Sequence, residues 1–321
     1  MRKKRILITG ISGFVGSHLA DYLLTKENVE IFGLDMSAAK VDNLENCFND
    51  VRLFSCDLTE RTSVRTLIKQ IKPDKIFHLA GSAFVGESWS DPEKTFTVNV
   101  FSQLNILNAL VELKLNPMVQ IACSSEEYGL ATKKELPITE KSELRPLSPY
   151  AVSKIAQDYL GYQYHKSYGL NVVRTRSFNH VGPRQNERFV VANFAKQIAM
   201  IETGKQKPVI SVGNLNAIRD FTDVRDIVKA YWLATEKGKP GDVYNLCSGK
   251  GHMVSKILKT LLSLSKVKVK IRQDPKRMRP SDVPVWVGDN RKFVKQTGWR
   301  LEYSLEMTLL DTLNYWREKA G

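Results

Sequence analysis

"RILITGISGFVGSH", Arg5–His18, is the stretch that decides the fold. "RILITG" (5–10) is an apolar run of strand length. Gly10, Gly13 and Gly16 follow it and open a helical pattern from Ser17 to about Thr25. Gly10 permits the tight turn, Gly13 lets backbone approach a pyrophosphate, and Gly16 lets helix and strand pack closely. Phe14 and Val15 lie at the same helix start, whose free N–H groups face the phosphates. Asp35 ends the next apolar run, "VEIFGLD" (29–35), 19 residues after Gly16. That is where a carboxylate holds the adenosine ribose hydroxyls in a dinucleotide-binding fold.

The pattern repeats outward. "VRLFSCD" (51–57), "KIFHLAG" (75–81), "MVQIACS" (118–124) and "NVVRTRS" (171–177) read as further strands covered on both faces. Helical stretches lie between them, among them about Glu93–Lys114 and Pro149–Tyr168. Such alternation predicts an α/β protein with a doubly wound parallel sheet of Rossmann type. Ligands in such sheets lie beyond the carboxyl ends of the strands. Asp57 and Leu58, and then Leu79, Ala80 and Gly81, sit at those ends as cofactor contacts.

Composition narrows the class. The chain has 321 residues, 42% of them hydrophobic, which is ample for a large core. Its four cysteines show no metal-ligand spacing, so reduced thiols in a cytoplasmic protein are expected, with no metal. No apolar run is long enough to span a membrane. The basic start resembles a secretory signal, but glycines interrupt it and no small-residue cleavage site follows. The formal net charge of +14 comes with no nucleic-acid-binding motif. It reads as a solvated basic face and a cleft for a small anion.

Chemistry concentrates in "ACSSEEYG" (122–129) and "SPYAVSK" (148–154). Tyr150 and Lys154, at i and i+4, share a helix face. A nearby ammonium favours the phenolate, so such a tyrosine can exchange a proton with a carbinol oxygen. A serine opposite would hold that oxygen. The same helix repeats the spacing at Tyr162 and Lys166, about 18 Å along the axis, too far to serve one ligand. Tyr150, at the helix start near the ligand edge, is preferred, and Tyr162 is read as structural.

"TGISGFVG", "HLAG", "SSEEYG", "YAVSK" and "RSFNHVGP" occur in the order seen in extended short-chain dehydrogenase/reductases acting on nucleotide sugars. "SFNHVGPRQ", "GNLNAIRDFTDVRDIV" and "RPSDVP" resemble the branch of GDP-mannose 4,6-dehydratases and GDP-4-keto-6-deoxy-mannose reductases. The resemblance implies that Ser124 polarises the sugar oxygen, Tyr150 carries the proton and Lys154 binds the nicotinamide ribose. It adds Asn99 and Phe178 to the cofactor contacts. It adds Ser125, Asn179, Asn193, Arg219, Arg279 and Asp282 to the substrate contacts, and makes Glu126 either the C5 base of a dehydratase or a positioning group. Asp282 stands where relatives usually carry a glutamate, and Asn193 where the dehydratases typically carry a lysine.

The resemblance also implies a smaller α/β substrate domain and a homodimer formed through the helices around 93–114 and 149–168. The expected cofactor domain is 1–178, with 213–245 returning to it; 179–212 and 246–321 bind the nucleotide sugar. Asp35 opposes a 2′-phosphate and Lys40 is the nearest cation, which favours NAD(H) over the alternative NADP(H). The expected activity is reduction of a GDP-4-keto-6-deoxy sugar. The rivals are the 4,6-dehydratase, an epimerase or dehydratase on another nucleotide sugar, and a cofactor-binding module without catalysis.

Overall fold

The computed structural model describes residues 2–36, 42–45, 47–277 and 283–321. Strands β1 (Lys4–Thr9), β2 (Val29–Asp35), β3 (Val51–Ser55), β4 (Lys75–His78), β5 (Met118–Ser124) and β6 (Val172–Ser177) are short, and all but β3, which lies at an edge and is partly exposed, are largely buried. Each is followed by chain that crosses back over the sheet, so neighbours pair in parallel. Four more strands lie beyond: β7 (Asn179–Val181), β8 (Val209–Val212), β9 (Ile218–Asp223) and β10 (Val243–Leu246). The last three are β11 (Gly251–Met253), β12 (Lys270–Gln273) and β13 (Val285–Trp286). The main sheet runs β10-β6-β5-β4-β1-β2-β3, and every pairing in it is parallel. The order reverses between β1 and β4, which opens a crevice at their carboxyl ends.

Helices cover both faces. On one lie α1 (Phe14–Leu24), α8 (Val224–Lys237) and α10 (Arg291–Thr297), around a core that includes Ile6, Ile8, Phe77, Tyr231 and Trp299. On the other lie α2 (Arg61–Ile71), α5 (Ser102–Glu112) and α6 (Pro149–Tyr168), around Leu7, Ile76, Leu107, Val119 and Val172. Short α3 (Val85–Ser90) and α4 (Pro92–Phe96) lead into α5 through a π turn, Thr97–Phe101. The expected helix near 93–114 is therefore interrupted at the point where Asn99 sits.

The second body packs α7 (Val190–Glu202), α9 (Val254–Ser263) and α11 (Leu305–Ala320) around Phe194, Ile198, Ile257 and Leu313. A small sheet, β11-β9-β13 with β7 beside β9, lies with it, and β8 pairs with β12. The segment 213–245 is divided in the structure. β9 belongs to the small sheet, whereas α8 and β10 join the main one. The physical reason is a partner for every edge: β9 pairs with β7, β11 and β13, so no side is left for the main sheet. No helix among the described residues is long and apolar enough to cross a membrane.

Candidate active site

The crevice is built first by glycine. Gly10 turns the chain with φ +69, and a Cβ there would stand 3.0 Å from the Ala80 Cα. A Cβ on Gly16 would lie 2.2 Å from the Gly10 carbonyl oxygen. Only glycine lets α1 start this close to β1. Gly13 caps α1 with no side-chain hydrogen bond, and no acid stands in the first turn, so this helix end suits a diphosphate. Phe14 and Val15 are partly buried here; the Phe14 ring packs edge-on to His18 and parallel to His180.

Thr9 ties the crevice shut from below. Its hydroxyl accepts from the Leu79 and Ala80 N–H groups at 3.1 Å each and contacts Nδ1 of buried His78 at 2.9 Å. Burial, with help from Lys154, drives the His78 pKa down to about 3, so the ring is neutral. The Asp35 carboxylate stands at the end of β2, holding the Ser12 hydroxyl and the Met36 N–H (2.9 Å). Lys40 lies outside the described residues. Asp57 accepts from Thr59 N and Oγ1 at 2.9 and 2.7 Å, and the carbonyl of buried Leu58 accepts from Asn105 at 2.9 Å.

Asn99 is fully buried in the π turn. It accepts from Ser82 N (2.7 Å) and donates to Ser82 O (3.2 Å) and Ser153 Oγ (2.9 Å). A Cβ on Gly81 would meet the Asn99 Oδ1 at 2.8 Å and stand 3.8 Å from the Lys154 Nζ. Gly81, Asn99 and Lys154 thus share one narrow place, where a side chain on residue 81 would strike Asn99.

Helix α6 begins with Ser148, whose hydroxyl accepts from Ala151 N (3.1 Å), and with Pro149, whose ring presets φ. That start brings Tyr150 to the carboxyl end of β5. Ser124 stands close enough to act on the Tyr150 phenol. Burial raises its pKa well above the ordinary tyrosine value, Ser124 opposes this, and Glu126, Glu127 and Tyr231 add to it. Lys154 Nζ stands 5.9 Å from the Tyr150 ring centre and donates to Ala122 O at 2.9 Å. Burial lowers its pKa, with Cys123 and Glu127 opposing. The sequence predicted a phenol eased toward phenolate by the ammonium; burial acts on Tyr150 in the opposite direction. Tyr162 is exposed, its ring flanked by Lys166 (5.6 Å) and Arg174 (5.2 Å).

Ser124 ends β5 and caps a 3-10 turn, Ser125–Tyr128. Its hydroxyl accepts from Glu126 N at 3.2 Å, and its own N–H donates to Glu127 Oε1 at 2.7 Å. Ser125 is buried and Glu126 half-buried at this turn. The structure therefore joins Ser124, Ser125, Glu126, Tyr150 and Lys154 at one strand end. Phe178 is buried and stacks on Tyr128, with ring centres 6.4 Å apart. Asn179 is exposed on β7.

Arg219 is nearly buried on β9, its guanidinium 5.6 Å from the Trp286 ring. Asn193 on α7 donates to Glu187 O (2.9 Å), and its Oδ1 accepts from Gln197 (2.7 Å) and Arg277 (2.6 Å). Arg279 and Asp282 lie outside the described residues.

Sequence reasoning passed over Thr9, Ser12 and Ser153, and a buried charge cluster behind Ser124. There Arg176 donates to Asp158 Oδ2 (2.8 Å), and Arg174 also binds Asp158. Cys123, Glu127 and Asp158 present ligand-type atoms within 4.8 Å of one another, but the two arginines supply the positive charge. A signal was available: Arg174 and Arg176 alternate in a strand buried along its length, and buried arginines demand acids.

A parallel sheet with this crevice, and a Ser–Tyr–Lys set at its edge, defines an extended short-chain dehydrogenase/reductase. Residues 7–312 match the family described as GDP-mannose 4,6 dehydratase, and the chain belongs to that family. GDP-6-deoxy-D-mannose reductase of Pseudomonas aeruginosa is 33% identical over 317 residues, covering 99% of this chain and 98% of that protein. GDP-mannose 4,6-dehydratase of Vibrio cholerae is 29% identical, covering 95% and 91%. The solved structure of RMD from Pseudomonas aeruginosa complexed with NADPH superposes with a TM-score of 0.87 at 32% identity, over 99% of this chain and all of that one.

Proposed function

We propose that this chain is a nucleotide-sugar oxidoreductase that reduces the C4 keto group of a GDP-4-keto-6-deoxy-mannose-type sugar. The observation that carries the proposal is the gathering of Ser124, Tyr150 and Lys154 at one strand end beside the glycine-lined crevice. Reduction of a ketone needs an acid at the carbonyl oxygen, and the phenol of Tyr150 can serve as that acid. Similarity along nearly the whole length to a GDP-6-deoxy-D-mannose reductase supports the same direction.

A reduced nicotinamide, held by Gly10–Gly16, Asp35, Asp57, Leu58, Gly81, Asn99 and Lys154, would supply the hydride. The chain does the rest. Ser124 holds the ketone oxygen, Tyr150 gives it a proton, and Lys154, anchored on Ala122 O, stays aligned with the tyrosine. Asn179, Arg219 and Arg279 take the diphosphate, arginine being suited to it by its planar donor fork. Ser125, Asn193 and Asp282 complete the sugar-nucleotide contacts. Glu126 positions the sugar. Asp35, facing the adenosine ribose, favours NAD(H) over NADP(H) by its charge.

The cofactor domain in this proposal comprises 1–178 with α8 and β10, and the remainder binds the nucleotide sugar. Exposed Phe101, Val152 and Tyr159, near and on the helices in question, support a homodimer through α5 and α6. Four free, buried cysteines support a cytoplasmic setting.

A second reading, the 4,6-dehydratase, is favoured by Glu126 standing one turn residue beyond Ser125 beside the site. The two divide on cofactor use, because a dehydratase regenerates its own. Incubation with GDP-mannose and no reductant should yield no 4-keto-6-deoxy product, whereas the 4-keto sugar should consume reduced cofactor. Robust conversion of GDP-mannose would overturn the reductase. Glu126→Gln should raise KM and leave turnover within about tenfold; a loss on the order of 10³-fold would mark a carbon base.

A further inference from the structure

We propose that Glu127 is a positioning residue, which clamps Ser124 from behind and locks its strand end to the helix that carries Tyr150 and Lys154. The inference rests on the catalytic set of the preceding section but not on the direction of the reaction.

Glu127 is fully buried, yet it is one residue from Glu126 at the site. Its Oε1 accepts the Ser124 N–H at 2.7 Å, closing a capping box around the residue that stands beside the Tyr150 phenol. Its Oε2 lies 3.2 Å from Arg176 Nε and makes no hydrogen bond. Arg176 spends that N–H on Asp158, at 2.8 Å. Asp158 belongs to α6, one helical turn after Lys154. The chain of contacts thus runs from the Ser124 backbone through Glu127, Arg176 and Asp158 into the helix of Tyr150.

The charged and titratable groups around the carboxyl are Cys123 on β5, Tyr128 of the same turn, Arg174 and Arg176 on β6, and Tyr150, Lys154 and Asp158 on α6. Burial first, and then Asp158, push the Glu127 pKa up to about 8, while Arg176, the Ser124 N–H and Lys154 oppose. Burial and the Asp158 charge thus lean this carboxyl toward its neutral form. When ionised it makes Tyr150 a weaker acid, since its charge raises the tyrosine's hold on its proton. When neutral it still accepts from Ser124.

Two substitutions separate clamp from charge. Glu127→Leu removes the acceptor, and turnover should fall on the order of 10²-fold, the usual loss from a small misplacement of reacting groups. KM and affinity for the reduced cofactor should stay within about threefold. Glu127→Gln keeps an acceptor oxygen and should restore turnover to within about threefold of the parent. In the parent, kcat for the keto sugar should step down severalfold as pH rises through about 8, and in Glu127→Gln that step should vanish. A readout without sugar is the Ser124 amide resonance in NMR. It should move with pH in the parent across the same range and stay fixed in Glu127→Gln. Should Glu127→Leu fail to fold, turnover in the Gln variant still decides. A Leu variant with full turnover, or a Gln variant that loses as much turnover as the Leu variant, overturns the inference. Failure of the parent to reduce the keto sugar counts only against the reductase, because the amide signal is read without it.

Discussion

Removing one oxygen from Tyr150, as in Tyr150→Phe, tests the site at its centre. The ring stays, and with it the packing of a buried side chain. What is lost is the phenol oxygen beside Ser124 and the proton itself. The Ser124 hydroxyl keeps the Glu126 N–H at 3.2 Å, so it is not stranded. The folding cost is therefore at most that of one ordinary hydrogen bond, about 1 kcal/mol, and Tm should fall by no more than about 2 °C. Catalysis loses more. A positioned acid contributes roughly 10²–10⁴ in rate, or about 3–5 kcal/mol of barrier. The assay is loss of reduced-cofactor absorbance with the 4-keto sugar, beside a thermal melt of the same sample. Tyr162→Phe is the control. Its exposed ring keeps Lys166 at 5.6 Å and Arg174 at 5.2 Å, and turnover should stay within about twofold. Tyr150→Phe with more than a tenth of parental turnover, or equal losses in both variants, would refute the assignment.

Gly16→Ala would drive a methyl to 2.2 Å from the Gly10 carbonyl oxygen, against backbone that cannot swing away. Cofactor affinity should fall at least tenfold, with about 1–3 kcal/mol of stability, measured by cofactor titration and urea unfolding. His18 is neutral in the fold; burial lowers its pKa to about 4 despite its contact with Pro183 O at 2.9 Å. A depressed histidine contributes stability above its unfolded pKa and loses it as pH falls toward 4. Between pH 7 and 5 the stability gap between the parent and His18→Gln should thus shift against the parent by roughly 2 kcal/mol. An unchanged gap in paired urea titrations would sink it.

Much of the molecule is legible in its sequence because its signals are local. The glycine loop, the carboxylate ending β2 and the Ser148–Pro149 start of α6 each fix structure within a few residues. α6 even ends where expected, at Tyr168, because Gly169 adopts φ +69 and closes it. What was not legible depends on partners far along the chain. The π turn at Thr97–Phe101 follows no local pattern; Asn99 is held there by Ser82 and Ser153. Glu127 and Arg176 stand 49 residues apart, and nothing near either announces the other. The position of β9 depended on which strands compete for its edges, which composition does not state.

The way the chain travels between its two sheets has a consequence for how the molecule comes apart. After β6 it leaves the main sheet for β7, returns after β9 as α8 and β10, departs again for β11 and α9, and comes back once more as α10 before ending in α11. No single cut of the backbone divides one body from the other. Neither can be made as a shortened chain with its own layers complete, since α8, β10 and α10 lie downstream of the body they do not belong to. The molecule is thus woven rather than hinged on one thread, and a nick in any loop after Ser177 leaves at least one of the two bodies divided between fragments.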